Sequence, residues 1–375
     1  MTEQAKGQAA LAALRQGDAR RALALLTDMA DPPPMLLAQA HNRLGHLDGE
    51  AAALRRILDA APRDLPALLA MGRNAQRRGD DRMAMSFNRT ALAQAATTGA
   101  PPQLQPLLQQ AQAQVAQASA RFEDHLSETL RSLPALPRIA YATDLLLGRS
   151  GLYLQQPSMF YFPGLPQRAF YERTMFDWAA KVEARTDAIL AELEAVRSQQ
   201  PDFAPYVETS PDRPAPNNPL HGDPSWGAFY LWQRGAPVAG NADLCPETMA
   251  ALDLAPLPRI PGRSPFALWS LLKPGTHIRP HHGLLNTRLI CHLPLLAPEG
   301  CALRVGAETR AWRKGEMLIF DDSIEHEAWN RSTEIRIVML FEIWRPEIEP
   351  NERDALARLF MAIDAYGPAQ EDEGG

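Results

Sequence analysis

Cysteine is scarce: only Cys245, Cys291 and Cys301 occur in 375 residues. Three scattered thiols build no disulfide framework and lack the close spacing of a structural zinc site. A reducing, cytoplasmic setting is the expectation. No stretch approaches the roughly 18 consecutive apolar residues that a membrane-spanning helix needs. The opening stretch from Met1 to Arg21 also has no apolar core suited to a signal peptide. Positive charge is not in excess either, with 38 Lys and Arg against 44 Asp and Glu and a formal net charge of −6. That balance argues against a general nucleic-acid binder, which would carry a basic face. What remains is 46% hydrophobic and 22% charged, the composition of a soluble globular protein long enough for two or three domains.

Residues 1–118 are rich in Ala, Leu, Gln and Arg, with apolar positions at helical spacing. Gly17-Asp18, Gly45-His46 and Gly79-Asp80 each precede an Ala-rich helical run, the last two glycines lying 79 − 45 = 34 residues apart. In that frame Gly72, Gly79, Ala84 and Ala91 fall where helices pack closely, and Pro34 and Pro62 fall where a second helix ends. This resembles a short array of tetratricopeptide repeats, whose stacked helix pairs bury one continuous core. Residues 119–150 form a linker, entered through a Gln-rich helix over about 103–133 that caps the array. Residues 151–366 make the second domain, and 367–375 a flexible tail. Within it, 167–199 reads as one long amphipathic helix and 210–219 as a proline-rich loop. The residues from Asn351 to Tyr366 read as a terminal helix.

From Gly227 onward short β runs take over: Ala228 to Trp232, Phe266 to Leu272, Arg288 to Leu296, Ala302 to Val305, Met317 to Phe320 and Ile335 to Trp344. Turns such as Lys273-Pro274-Gly275 separate them, which indicates an antiparallel barrel or sandwich. Along the third run Arg288, Ile290 and His292 share one face, while Leu289, Cys291 and Leu293 share the other.

Two polar motifs sit at the edges of these runs, Pro280-His281-His282-Gly283 and Phe320-Asp321-Asp322-Ser323-Ile324-Glu325-His326. Two imidazoles converging from strand ends suit iron, zinc, copper or nickel and leave coordination positions open. Asp321 and Asp322 are candidate catalytic carboxylates, placed to orient ligands or hold a bound water. His282 points away from its neighbour on an extended chain. His277 and His292 are better suited to hydrogen bonding than to ligation.

The order Lys273-Pro274-Gly275-Thr276-His277, His281-x-Gly283, Asn286-x-Arg288-Leu289, His292-Leu293, Arg304-Val305-Gly306, Phe320-Asp321-Asp322-Ser323 and Glu325-His326-Glu327-x-Trp329-Asn330 resembles the aspartyl/asparaginyl β-hydroxylase family. The resemblance implies a double-stranded β-helix, of jelly-roll or cupin-like type, behind the helical repeats in an α+β multidomain chain. It also implies Fe(II), 2-oxoglutarate and O₂, with His281 and His326 as the metal ligands. The usual His-x-Asp/Glu carboxylate is missing at Gly283, a departure the family shares, with water in the vacancy. Arg336, ten residues after His326, matches the arginine that pairs with the distal carboxylate of 2-oxoglutarate, and Ser270 the hydroxyl beside it. Arg288 and His292 would approach the metal-bound end. Ile290 replaces an arginine of the animal hydroxylase.

Trp226, Trp232 and Arg213 are candidate substrate contacts ahead of the barrel. The leading expectation is hydroxylation at the β-carbon of Asp or Asn in a polypeptide or peptide, docked by the helical repeats, with release of succinate and CO₂. Oxygenation of a small molecule, free amino acid or lipid acyl chain, and a non-enzymatic repeat scaffold, are the alternatives. No nucleic acid partner and no membrane span are expected.

Overall fold

The computed structural model describes residues 1–134, 136–209, 214 and 218–366. Arg213, most of the 210–219 loop and the 367–375 tail lie outside the described residues. The chain divides into two compact units, Met1–Thr143 and Asp144–Gly375.

The first unit is helical. It contains α1 (Glu3–Arg15), α2 (Ala19–Thr27), α3 (Pro34–Leu44), α4 (Leu47–Ala60), α5 (Leu65–Arg77), α6 (Asp81–Thr98) and α7 (Gln105–Arg131), and α8 (Pro137–Leu146) runs into the second. Consecutive helices pack as hairpins, α1 on α2, α3 on α4 and α5 on α6, with α7 closing on α6, as a repeat array requires. Gly17, Gly45 and Gly79 take positive φ of 84°, 76° and 76°, the left-handed turn that ends a helix cheaply. Asp18 and Asp80 then cap the following helices by accepting from the Arg21 and Met83 amides. Gly72 abuts the Asn88 side chain with no room for a Cβ, and Ala84 and Ala91 are buried. Pro34 does not end a helix as expected. It opens α3, where a missing N–H costs nothing, whereas Pro62 does follow α4.

The second unit holds β1 (Phe170–Tyr171), β2 (Ala204–Pro205), β3 (Trp226–Gln233), β4 (Ala236–Pro237), β5 (Ala267–Leu272), β6 (His277–His281), β7 (Arg288–Leu296), β8 (Cys301–Val305), β9 (Glu308–Ala311), β10 (Leu318–Phe320), β11 (His326–Asn330) and β12 (Arg336–Trp344). A larger sheet runs β1-β10-β7-β12-β5-β3-β2 with β4 beside β3, and a smaller one runs β6-β11-β8-β9. All these pairings are antiparallel. Two sheets packed through one apolar layer form the double-stranded β-helix.

Alternation along β7 and β12 divides two cores. Ile290, Val338 and Leu340 meet Ile278, Leu303 and Ala328 of the small sheet. Leu289, Cys291, Leu293, Met339 and Phe341 turn outward onto α9 (Ala179–Glu183), α10 (Thr186–Gln199) and α11 (Pro246–Leu252). The helix α12 (Pro350–Asp364) buries Leu356 and Phe360 beside Leu285 and Ile348.

The single helix expected over 167–199 is not formed. Phe170 and Tyr171 pair instead with Phe320 and Ile319 of β10, a short turn follows, and only α9 and α10 are α-helical. Both aromatic rings are buried, which a solvent-facing helical turn could not achieve.

Candidate active site

His281 closes β6 and His326 opens β11, and the two are Cα partners in the antiparallel register. Their rings face one another with centroids 4.1 Å apart. Each ring is fixed in the same way. Nδ1 of His281 lies 2.8 Å from the Arg279 carbonyl and Nδ1 of His326 lies 3.0 Å from the Ile324 carbonyl. A carbonyl only accepts, so both Nδ1 atoms carry the proton and both Nε2 atoms are left as bases. That is the tautomer a metal ligand needs. Burial, together with the neighbouring His281, pushes His326 down to about 3, so it stays neutral. Among the described residues no group of three His, Cys, Asp or Glu side chains could hold a metal ion.

These histidines border a cavity of about 530 Å³ that also reaches Trp226, Ser270, Arg288, Ile290, His292, Asp322 and Arg336. Arg336 starts β12 opposite Leu272 and is 1% exposed. Its Nη1 donates to the Ser270 carbonyl at 3.0 Å and approaches Ser270 Oγ at 3.4 Å. The guanidinium lies 4.6 Å from the Trp312 ring centroid, and its Nε has no partner. No carboxylate forms an ion pair with it among the described residues. Desolvation lowers its pKa to about 10. A buried guanidinium without a counter-charge is costly, and a bound carboxylate would offset that cost bidentately.

His292, from the middle of β7, is buried with an unpartnered Nδ1 and meets Phe320 edge-on at 5.0 Å. Burial, then Arg336 and His326, keeps it neutral by lowering its pKa well below the ordinary value. Arg288 lines the cavity with both terminal nitrogens paired and its Nε without a partner. It forms ion pairs with Glu342 and, at 3.3 Å, with Asp322. Glu342, fully buried on β12, is the partner that sequence reasoning missed. The alternation of β12 could have exposed it, since Arg336, Leu340 and Glu342 share the inward face.

The two aspartates have different surroundings. Asp322 borders the cavity, leaves Oδ1 without a partner, and is raised to about 6, chiefly by burial. Asp321 turns away from the cavity, contrary to expectation. Its carboxylate is taken up by Arg345 at 2.6 Å, Gln155 at 2.7 Å and the Ser323 amide and hydroxyl. These four donors leave it a role in holding the loop before His326.

Trp226 does line the cavity, with Nε1 3.3 Å from Ser270 Oγ and its ring stacked on Tyr206 at 4.1 Å. Trp232 does not. The β3–β5 register slips between Tyr230 and Trp232, and this bulge turns Trp232 into the outer core. His277 is exposed and pairs with Glu327 at 2.7 Å, while His282 borders the cavity beside His281.

A double-stranded β-helix here brings two imidazoles and a buried arginine to one cavity. Residues 183–346 match the family model described as Aspartyl/Asparaginyl beta-hydroxylase, and this part of the chain is similar to that family. The chain is 35% identical over 196 residues to the ornithine lipid ester-linked acyl 2-hydroxylase of Rhizobium tropici, covering 52% of this chain and 66% of the relative. It is 33% identical over 214 residues to the aspartate beta-hydroxylase domain-containing protein 2 of Homo sapiens, 55% of each chain. It is 40% identical over 133 residues to the aspartyl/asparaginyl beta-hydroxylase of Mus musculus, 35% of this chain and 18% of that protein. The chain thus spans less than two thirds of the length of these relatives. Among the described residues no helix is long and apolar enough to cross a membrane.

Proposed function

We propose that this chain is an Fe(II)- and 2-oxoglutarate-dependent hydroxylase of an aliphatic C–H bond. The observation that carries the reading is Arg336, a buried guanidinium lacking a carboxylate at a cavity bordered by two Nδ1-protonated imidazoles. His281 and His326 would hold the metal through Nε2. Arg336, with Ser270, would take the distal carboxylate of the co-substrate. When bound, the iron and 2-oxoglutarate would use O₂ so that one oxygen atom enters the substrate as hydroxyl and the other enters succinate, with loss of CO₂.

The chain's own contribution is placement. The two backbone carbonyls hold the imidazole tautomers, the apolar layer around Ile290, Leu303 and Leu340 excludes water, and neutral His292 offers an unprotonated or protonated nitrogen without adding charge. The test is succinate release from 2-oxoglutarate by the full chain, with and without Fe(II). Absence of any Fe(II)-dependent succinate would favour a scaffold role for the helical unit.

The substrate readings divide on charge. An aspartyl side chain of a polypeptide, supported by the family name and the animal relatives, brings a carboxylate to the cavity, whereas an asparaginyl side chain brings a neutral amide. An acyl chain, supported by the Rhizobium relative, brings neither.

A further inference from the structure

Resting on the hydroxylase reading above, we infer that Arg345 is a positioning residue for the metal site, holding the two histidine-bearing segments at one separation from outside the cavity. Arg345 directly follows β12, its side chain is fully buried, and it does not border the cavity. A guanidinium has five N–H groups, and here every one meets an acceptor. Nη1 donates to the Asp321 carboxylate at 2.6 Å and to the Asn286 carbonyl at 3.3 Å. Nη2 donates to the Pro166 carbonyl at 3.0 Å and to the Tyr171 hydroxyl at 2.5 Å. Nε donates to Glu347 at 3.4 Å.

The Nη1 contacts join the two histidine motifs. Asp321 lies 326 − 321 = 5 residues before His326, and Asn286 lies 286 − 281 = 5 residues after His281. One nitrogen therefore spans both segments that carry the imidazoles. Gln155 repeats the bridge with its amide, donating from Nε2 to Asp321 at 2.7 Å and accepting from Asn286 Nδ2 at 3.0 Å. Arg345, Asp321, Gln155 and Asn286 are all buried, where a polar bond is strong and a lost partner is costly. Tyr171 secures the far side by donating its own proton to Glu347 at 2.7 Å. Arg336 lies 345 − 336 = 9 residues earlier, at the other end of β12, and shares none of these partners; it meets Ser270 and Trp312. Disturbing Arg345 should thus loosen the metal end and leave the co-substrate anchor in place.

The experiment is anaerobic calorimetric titration of the full chain with Fe(II), followed by 2-oxoglutarate at saturating Fe(II). Arg345→Lys keeps the charge and loses the fork. It should weaken Fe(II) binding by about tenfold or more, the usual cost of losing a group that orients a ligand, with 2-oxoglutarate affinity held within about threefold. Asp321→Ala should weaken Fe(II) binding comparably, and adding it to Arg345→Lys should cost little more, because both changes open the same bridge. Tyr171→Phe removes a single acceptor; it should show the same selectivity at about threefold, and it decides the question if the lysine variant does not fold. Unchanged Fe(II) affinity, or a parallel loss of Fe(II) and 2-oxoglutarate affinity, overturns the positioning role while leaving the hydroxylase reading intact. A wild-type chain that binds no Fe(II) overturns both readings together.

Discussion

Gly283 and Asp322 occupy one another's space: the Gly283 amide donates to the Asp322 carbonyl at 2.6 Å, and a Cβ at 283 would collide with the Asp322 carboxylate. The missing His-x-Asp/Glu carboxylate is therefore more than a substitution in sequence. The room it would need already holds an acid contributed by the other motif.

Gly283→Asp should for this reason fail to complete a third ligand. Overpacking and two adjoining carboxylates should cost about 1–3 kcal/mol, read as a lowered urea midpoint. Asp322→Ala in the same chain should recover most of that loss. An undisturbed midpoint in the single variant would show that the two residues do not compete.

His281→Ala or His326→Ala should abolish Fe(II)-dependent succinate release while the helical circular dichroism signal persists. Fe(II) titration checks the assignment directly. Near wild-type turnover in either variant at saturating Fe(II) would place the ligands elsewhere.

Arg336 predicts a trade between stability and binding. Arg336→Met should raise the melting temperature of the ligand-free chain by a few degrees, because it removes an uncompensated buried charge. The same change should weaken 2-oxoglutarate binding by about a hundredfold or more. Arg336→Lys should restore binding only in part, keeping the charge and losing the fork. Calorimetry that shows unchanged affinity in Arg336→Met would move the co-substrate elsewhere.

Acid should destabilise the second unit. His326 titrates at about 3 when folded against 6.5 when exposed, and His292 is lowered as well. Unfolded imidazoles bind protons first, so this contribution is full above about 6.5 and is lost as the pH falls below it. Between pH 6.5 and 5.5 the loss is about 1 kcal/mol per imidazole. Asp322, raised to about 6 from 3.8, acts with the opposite sign, its contribution to stability falling as pH rises through that interval. His281 is lowered by burial too, so three imidazoles against one carboxyl leave a net fall on acidification, visible in denaturant midpoints at pH 7.5, 6.5 and 5.5. His292→Asn should flatten the slope, and an unaltered slope would remove His292 from the account.

Much of the barrel was legible because its central strands are apolar. Arg288–Leu296 emerges with the bounds read from sequence, and its two faces separate as alternation requires. The strands that carry the histidines were harder to see. His277–His281 and Glu308–Ala311 are largely exposed and polar, so no apolar run marks them, although the convergence of His281 and His326 followed from their motifs. The failures are of another kind. A bulge after Tyr230 reversed Trp232, and Asp321 was claimed by Arg345, 24 residues later in the chain. Both depend on register and long-range pairing, which local pattern does not encode.

The placement of Arg336 and Glu342 on one strand has a mechanical consequence. β12 is hydrogen-bonded on both sides, to β5 and β7, and six residues of extended chain separate the two, about 20 Å at the usual rise per residue. The proposed co-substrate anchor, Arg336, and the clamp on Arg288 are thus graduations on a single stiff ruler. Neither end can shift along the barrel without breaking ladders on both edges, so selectivity at one end can be altered by side-chain exchange while the spacing between them stays constant.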